Sequence, residues 1–304
     1  MPTVPPARRR FRPPPRVKRW LVPAWNWGVH LARRVGDRAG ALARGRVERC
    51  SVCGRVALMI YRRRVIPPEL AHRWGLTEGL ARAVARKESL ECSRCGAKLR
   101  ARRLAEVLLD LFPTAGPLPR SAAAWARTPE AGRLRVAEFN RIEGLHDALG
   151  RLSRFEGSDY VEGAAPGAKV AGVRHEDLTR LTHPDESFDL VLTSETLEHV
   201  PDLHQALAEI RRVLAPDGVH LFTVPILPGI PKTFPRAALS EDGARLDFAP
   251  FIAHPGGDTG YPVFTEFGAD FPELVRDAGY AVEVRFGPAT AENVCQVHIA
   301  RKTP

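Results

Sequence analysis

No stretch of this 304-residue chain approaches the roughly 18–20 consecutive apolar residues that a membrane-spanning helix requires. No transmembrane segment is therefore expected. The N-terminus is rich in arginine but lacks the apolar core of a secretion signal, so export is not expected and a cytoplasmic location follows. Aromatic residues make up only 7% of the chain. The cysteine-bearing region lacks interleaved aromatics, which argues against base stacking as a recognition device there. Carboxylates are scarce at first: residues 1–135 carry 30 Lys/Arg against 9 Asp/Glu, whereas residues 136–304 carry 15 against 26. Such asymmetry implies an anionic partner for the basic half, docking of one half on the other, or simply a solvated arginine-rich face.

A hydrophobic fraction of 44% in 33.5 kDa is enough for one substantial domain plus something smaller. Residues 1–20 combine prolines with seven basic residues and have little to bury, which predicts a basic, disordered arm. Leu31, Val35, Ala39 and Leu42 suggest a helix within 26–45, weakened by Gly36 and Gly40. Next come two C-x-x-C-G turns, Cys50/Cys53 and Cys92/Cys95. Each turn presents two thiolates along one tetrahedral edge, and the glycine permits the tight backbone turn behind them. Four thiolates with no open position suit a structural Zn²⁺ site, with redox dithiols or unliganded cysteines as the alternatives. The 38 residues between Cys53 and Cys92 exceed the common ribbon spacing, so a helical insertion is expected from Pro68 through Arg86. Leu99, Leu104, Val107, Leu108 and Leu111 then sit at helical spacing and should pack the ribbon onto its neighbour. The predicted division is an arm (1–20), a helical and zinc-ribbon-like module (21–112), a linker (113–130) and a larger domain (131–304).

From Arg133 onward, short apolar runs alternate with helical patterns, which implies a doubly wound α/β sheet ending in an antiparallel hairpin formed by AVEVRF and NVCQVHIA. Cys295, in the second of these runs, reads as an inert core thiol. In the middle lies FDLVLTSETLEHVP, residues 188–201. Its apolar run suits a strand buried on both faces, and it delivers Glu195, Glu198 and His199 to the strand's carboxyl end, where open α/β sheets bind ligands.

The motifs DESFDLV, LEHVPD and RVLAPDG resemble, in sequence and spacing, class I S-adenosylmethionine-dependent methyltransferases of the small-molecule, type 11-like kind. The resemblance covers about 134–225 and implies a Rossmann-like, seven-stranded methyltransferase sheet with S-adenosylmethionine as cofactor. It further implies that Asp159 holds the ribose, that Asp177 and Leu178 hold the adenine, and that Glu138, Gly144 and Ser194 complete the cofactor set. The glycine-rich turn usual after the first strand is missing, because VAEFNRIEGLH offers Gly144 alone. Glu195-x-x-Glu198-His199 is similar to a cluster that holds a divalent cation in some O-methyltransferases of this fold. Carboxylate oxygens with one imidazole suit Mg²⁺ or Mn²⁺. If the cluster lies on a helix, its three residues share one face, and His254 is a candidate fourth ligand or general base. The expected function is O-methylation of a small-molecule or glycan-type acceptor. The alternatives are a ribose 2′-O-methyltransferase gripping RNA with the basic half, and a non-catalytic scaffold with a degenerate cofactor site.

Overall fold

A computed structural model describes residues 46–61, 68–226, 229–240, 242–254, 260–287 and 294–303. The basic arm and the helix expected within 26–45 lie outside these residues. In chain order, the ribbon segment comprises β1 (Arg46–Arg49), β2 (Val56–Ile60), α1 (Pro68–Arg73), α2 (Glu78–Ser89), β3 (Glu91–Cys92) and α3 (Leu99–Leu111). Short helices α4 (Ala122–Trp125) and α5 (Pro129–Arg133) follow. The main sheet then begins with β4 (Val136–Phe139), α6 (Leu145–Leu149), β5 (Phe155–Asp159), β6 (Lys169–Val170), β7 (Val173–His175), β8 (Phe188–Ser194), α7 (Leu203–Val213) and β9 (Leu214–Thr223). An excursion with short antiparallel strand pairs among its described residues lies between 224 and 268 and separates β9 from α8 (Phe271–Asp277), β10 (Tyr280–Phe286) and β11 (Gln296–Lys302).

The sheet order is β10-β11-β9-β8-β4-β5-β7-β6. The pairs β4–β5, β4–β8, β5–β7 and β8–β9 are parallel, whereas β11 runs antiparallel to both β9 and β10. The chain leaves β4 toward β5 on one side and returns to β8 on the other, so the strand order reverses between β4 and β8. That reversal opens the ligand crevice at the carboxyl ends of these strands. The sheet has eight strands instead of the expected seven. Residues 169–173 form a hairpin whose turn places Ala171 at φ 49° and Gly172 at φ 85°, so β6 folds back on β7 as an extra edge.

Alternation along β8 divides the core. Leu190 and Leu192 face one cluster, and Val191 faces the other, as a period of two requires. On the second face α7 buries Leu203, Ala206, Leu207, Ile210 and Val213 at helical spacing. Its N-terminus is capped by Asp202, whose Oδ1 accepts from the Gln205 N–H at 2.9 Å. The first face is covered by the ribbon segment. Leu104, Val107 and Leu108 of α3 join Cys50 and Met59 of the ribbon with Leu190, Leu192, Val219 and Val297 of the sheet in one continuous cluster. The leucine pattern over 99–111 therefore packs as its spacing predicts. Residues 113–130, expected as a linker, are built into this face: Trp125 is buried and its Nε1–H donates to the Phe112 carbonyl at 3.0 Å.

Candidate active site

The crevice is lined by the ends of β4, β5 and β8. Asp159 ends β5, and its Oδ1 accepts from the backbone N–H of Arg141 at 2.7 Å. This bond ties the loop after β4 to β5. Asn140 opens that loop in the left-handed region at φ 68° and donates from Nδ2 to Thr196 Oγ1 at 3.3 Å. Ser194, at the end of β8, is hydrogen-bonded to Thr223 at 2.9 Å. Asp177 directs Oδ1 to the N–H and hydroxyl of Thr179 at 2.8 and 2.7 Å, an Asx-type turn that holds the buried Leu178 beside it.

Two residues assigned to the cofactor serve the loop and the ribbon. Glu138 is fully buried; one oxygen accepts from the Ile142 N–H at 3.3 Å and the other bonds to His146 Nδ1. Burial pushes the Glu138 carboxyl up, and the same bond raises His146. Gly144 sits at φ 71°, and a Cβ there would lie 2.7 Å from the Cys95 carbonyl oxygen. The close approach this glycine permits is to the ribbon.

Cys50, Cys53, Cys92 and Cys95 converge with all sulfurs within 4.8 Å of one another. The separations Cys50–Cys95 and Cys53–Cys92 are 3.8 and 4.0 Å, against the ~3.8 Å edge of a tetrahedron with ~2.3 Å Zn–S bonds. Gly54 and Gly96 take φ 76° and 72° and close the two turns by donating to the Cys50 and Cys92 carbonyls, both at 2.8 Å. With no cation bound, the bond from Cys95 lowers Cys50 to about 5 and raises Cys95 in turn. Four thiols this close ionise together only around a cation.

The E-x-x-E-H cluster is divided by the fold. It does not form a helix: Glu195 follows β8 at φ 50°, and Leu197–His199 make a single 3-10 turn. Glu195 turns to Lys87 of α2, with Nζ 2.8 Å from Oε2. Both side chains are nearly inaccessible, at 5% and 12% exposure, and Lys87 also reaches the Val224 carbonyl at 3.4 Å. Burial alone would lower the Lys87 ammonium, but Glu195 and Glu88 outweigh it and hold it above the ordinary lysine value. Burial pushes Glu195 up, against the pull of Lys87. In its place His254 joins Glu198 and His199, each offering one ligand atom within 4.8 Å of the others. Glu198 Oε1 lies 3.5 Å from His199 Nε2 and 3.6 Å from His254 Nδ1. Glu198 is fully buried, yet neither of its oxygens makes a hydrogen bond among the described residues. His199 Nδ1–H donates to the Pro262 carbonyl at 2.8 Å, which turns Nε2 toward Glu198. Burial tends to lower His254, but Glu198 outweighs it and the net direction is up; Glu198 itself is held below the usual carboxylate range, chiefly by His199 and His254 acting against burial.

Three residues of this wall escaped the sequence reading: Lys87, Trp74 and Asn140. The Trp74 ring meets His254 edge-on at 6.0 Å, and its Nε1–H donates to Glu266 Oε1 at 3.1 Å. The insertion between the two C-x-x-C turns thus forms part of the site. One signal was available: Ala83 and Lys87, four apart, share a buried helix face, where a lysine requires a partner.

Residues 147–222 match a family model described as a methyltransferase domain. A protein of Mycolicibacterium smegmatis named "Probable S-adenosylmethionine-dependent methyltransferase" is 30% identical over 141 residues, covering 44% of this chain and 46% of that protein. The malonyl-[acyl-carrier protein] O-methyltransferase of Halorhodospira halophila is 46% identical over 90 residues, covering 30% of this chain and 28% of that one. The chain thus spans less than half the length of these curated relatives. Among solved structures it is similar to an S-adenosylmethionine-dependent methyltransferase from Mesorhizobium loti, with 21% identity, a TM-score of 0.39, and coverage of 59% of this chain and 95% of that one.

Proposed function

We propose that this chain, which carries a methyltransferase domain in residues 147–222, is a cytoplasmic enzyme that transfers the methyl group of S-adenosylmethionine to an oxygen of a small-molecule or glycan-type acceptor. The observation that carries the reading is the placement of Asp159, Ser194 and the Glu198–His199–His254 group around the strand-order reversal between β4 and β8. The 46% identity to an O-methyltransferase over 90 residues supports oxygen as the acceptor atom.

The residues suit the cofactor in part. Asp159 spends one oxygen on Arg141 and keeps the other for a ribose hydroxyl, and Asp177 likewise keeps one beside Leu178. S-adenosylmethionine held by Asp159 and Asp177 would supply an electrophilic sulfonium methyl group to an acceptor oxygen placed in line with it, leaving its sulfur as a neutral thioether. The acceptor's proton must leave, and a neutral imidazole of the His199–His254 pair takes it. Glu198 steadies the imidazolium that results.

The donor set also fits a divalent cation, which would lower the acceptor hydroxyl's pKa when bound. Because Glu195 is committed to Lys87, the available set is two imidazoles and one carboxylate. Two nitrogens and one oxygen favour Mn²⁺, Fe²⁺ or Zn²⁺ over Mg²⁺. The cysteine cluster is assigned to a structural Zn²⁺, since it offers four sulfurs and no open position.

Calorimetry with S-adenosylmethionine is the direct test. Saturable binding by the intact protein, weakened roughly 10- to 100-fold in Asp159→Ala as expected for loss of a charge-assisted hydrogen bond, is the expected result. An intact, zinc-loaded protein that ignores the cofactor would instead be the non-catalytic scaffold.

A further inference from the structure

A cavity of about 470 Å³ lies between the cysteine turns and the outer side of α6. That volume is in the range of small-molecule sites. It shares no lining residue with the Glu198–His199–His254 group. Its walls bring together Arg55, Arg94, Arg127 and Arg151 from four separate segments of the chain. All four are exposed, and none has a carboxylate partner among the described residues. Other arginines, Arg82, Arg100, Arg102, Arg103, Arg135 and Arg212 among them, each hold an acid within 3.1 Å. The acid in the cavity wall, Asp147, is already bonded to Arg141 at 2.9 Å.

Charge bookkeeping decides what such a place would hold. Zn²⁺ with four thiolates carries −2, and Cys53 and Cys95 line the cavity, so two of the four guanidinium charges have a counterpart. No guanidinium donates to a sulfur among the described residues, and about +2 remains facing the cavity. Guanidinium groups are planar forks that match phosphate oxygens two at a time. The lining contains no aromatic side chain, which removes the stacking platform that a single-stranded nucleic acid uses. A concave wall with a residual charge of two suits a compact dianion better than a strand laid along a stripe.

We infer that this arginine-lined cavity beside the cysteine cluster is a second binding site, for a small phosphate-bearing molecule with a diphosphate group as the best match. It stands independently of the proposed methyl transfer, because it needs no property of the cofactor crevice.

The test is calorimetry of the full-length, zinc-loaded protein with sodium pyrophosphate at low salt, with zinc content measured before and after. Saturable binding is expected, weakened at least about tenfold in Arg94→Ala/Arg151→Ala. Both side chains are exposed, so the variant's melting temperature should stay within about 2 °C of the parent and its S-adenosylmethionine binding should be unchanged. The single variant Arg127→Lys, which keeps the charge but loses the fork, should weaken binding by a smaller factor. No saturable binding below about 10 mM pyrophosphate, or equal binding by parent and double variant, overturns the assignment. So does a short single-stranded RNA that binds more tightly than pyrophosphate and is lost in the same variant, since that outcome assigns the arginines to a nucleic-acid backbone.

Discussion

Replacing Lys87 by Met tests the buried link between the ribbon insertion and the segment that follows β8. The substitution keeps the length and apolar stem of the side chain but removes the ammonium 2.8 Å from Glu195. Glu195 would then keep one buried oxygen that already lacks a hydrogen bond and lose the partner of the other. Removing one member of a buried pair costs about 3–5 kcal/mol, which for a chain of this size lowers the melting temperature by on the order of 10 °C. The loss carries a pH signature. Burial already pushes the Glu195 carboxyl up, and Lys87 is the first-ranked group opposing that shift. Without the lysine the folded-state pKa rises further above the unfolded value, so the folded state holds a proton that the unfolded state releases. Stability from that proton is present below the unfolded pKa and is lost as pH rises through the folded one. The variant should therefore lie closer to the parent at pH 5 than at pH 8, each compared with the parent at the same pH by urea denaturation. Lys87→Met/Glu195→Gln should recover much of the loss and flatten its pH dependence. A loss under about 1 kcal/mol, or one equal at both pH values and indifferent to Glu195→Gln, would refute a buried ion pair.

Gly144→Ala should destabilise by about 2 kcal/mol or more, because it combines a left-handed backbone with a Cβ 2.7 Å from the Cys95 carbonyl; chemical denaturation checks it. Cys92→Ser should lower the zinc content of the purified protein and its melting temperature together, and a stable, metal-free parent would exclude the structural zinc assignment. Glu198→Gln should weaken Mn²⁺ binding measured by calorimetry at least roughly tenfold, whereas Glu195→Gln should leave it within about threefold, because only the first carboxylate lies among the imidazoles.

Much of this architecture was legible in the sequence because its signals are local. The buried run of β8, the helical spacing of Leu203 to Val213, the closing hairpin and the two C-x-x-C-G turns each follow from a few neighbouring residues. What could not be read depends on distant contacts. Gly144 looked like the remnant of a cofactor loop, and only the position of Cys95, 49 residues earlier in the chain, reveals why a side chain is excluded there. Glu195, Glu198 and His199 formed a convincing trio on helical spacing. A left-handed residue at the end of β8 turned the first of them toward Lys87 and left the other two to meet His254. That histidine comes from an irregular excursion, where no periodicity announces which side chains face inward.

The shared core of ribbon and sheet has a consequence for biosynthesis. Cys50 and Met59 are buried in the same cluster as Val297 and Ile299, on the order of 200 residues later in translation, so the surface that shelters the ribbon does not exist until the last strand has left the ribosome. The four thiols need only about 45 residues to find one another, a short loop closure. The cysteine cluster can thus close early in assembly, and docking of the sheet against it is the late event. An expression host starved of zinc should accumulate nascent chains with exposed apolar strands, visible as chaperone-bound or aggregated protein rather than as a soluble enzyme missing an ornament.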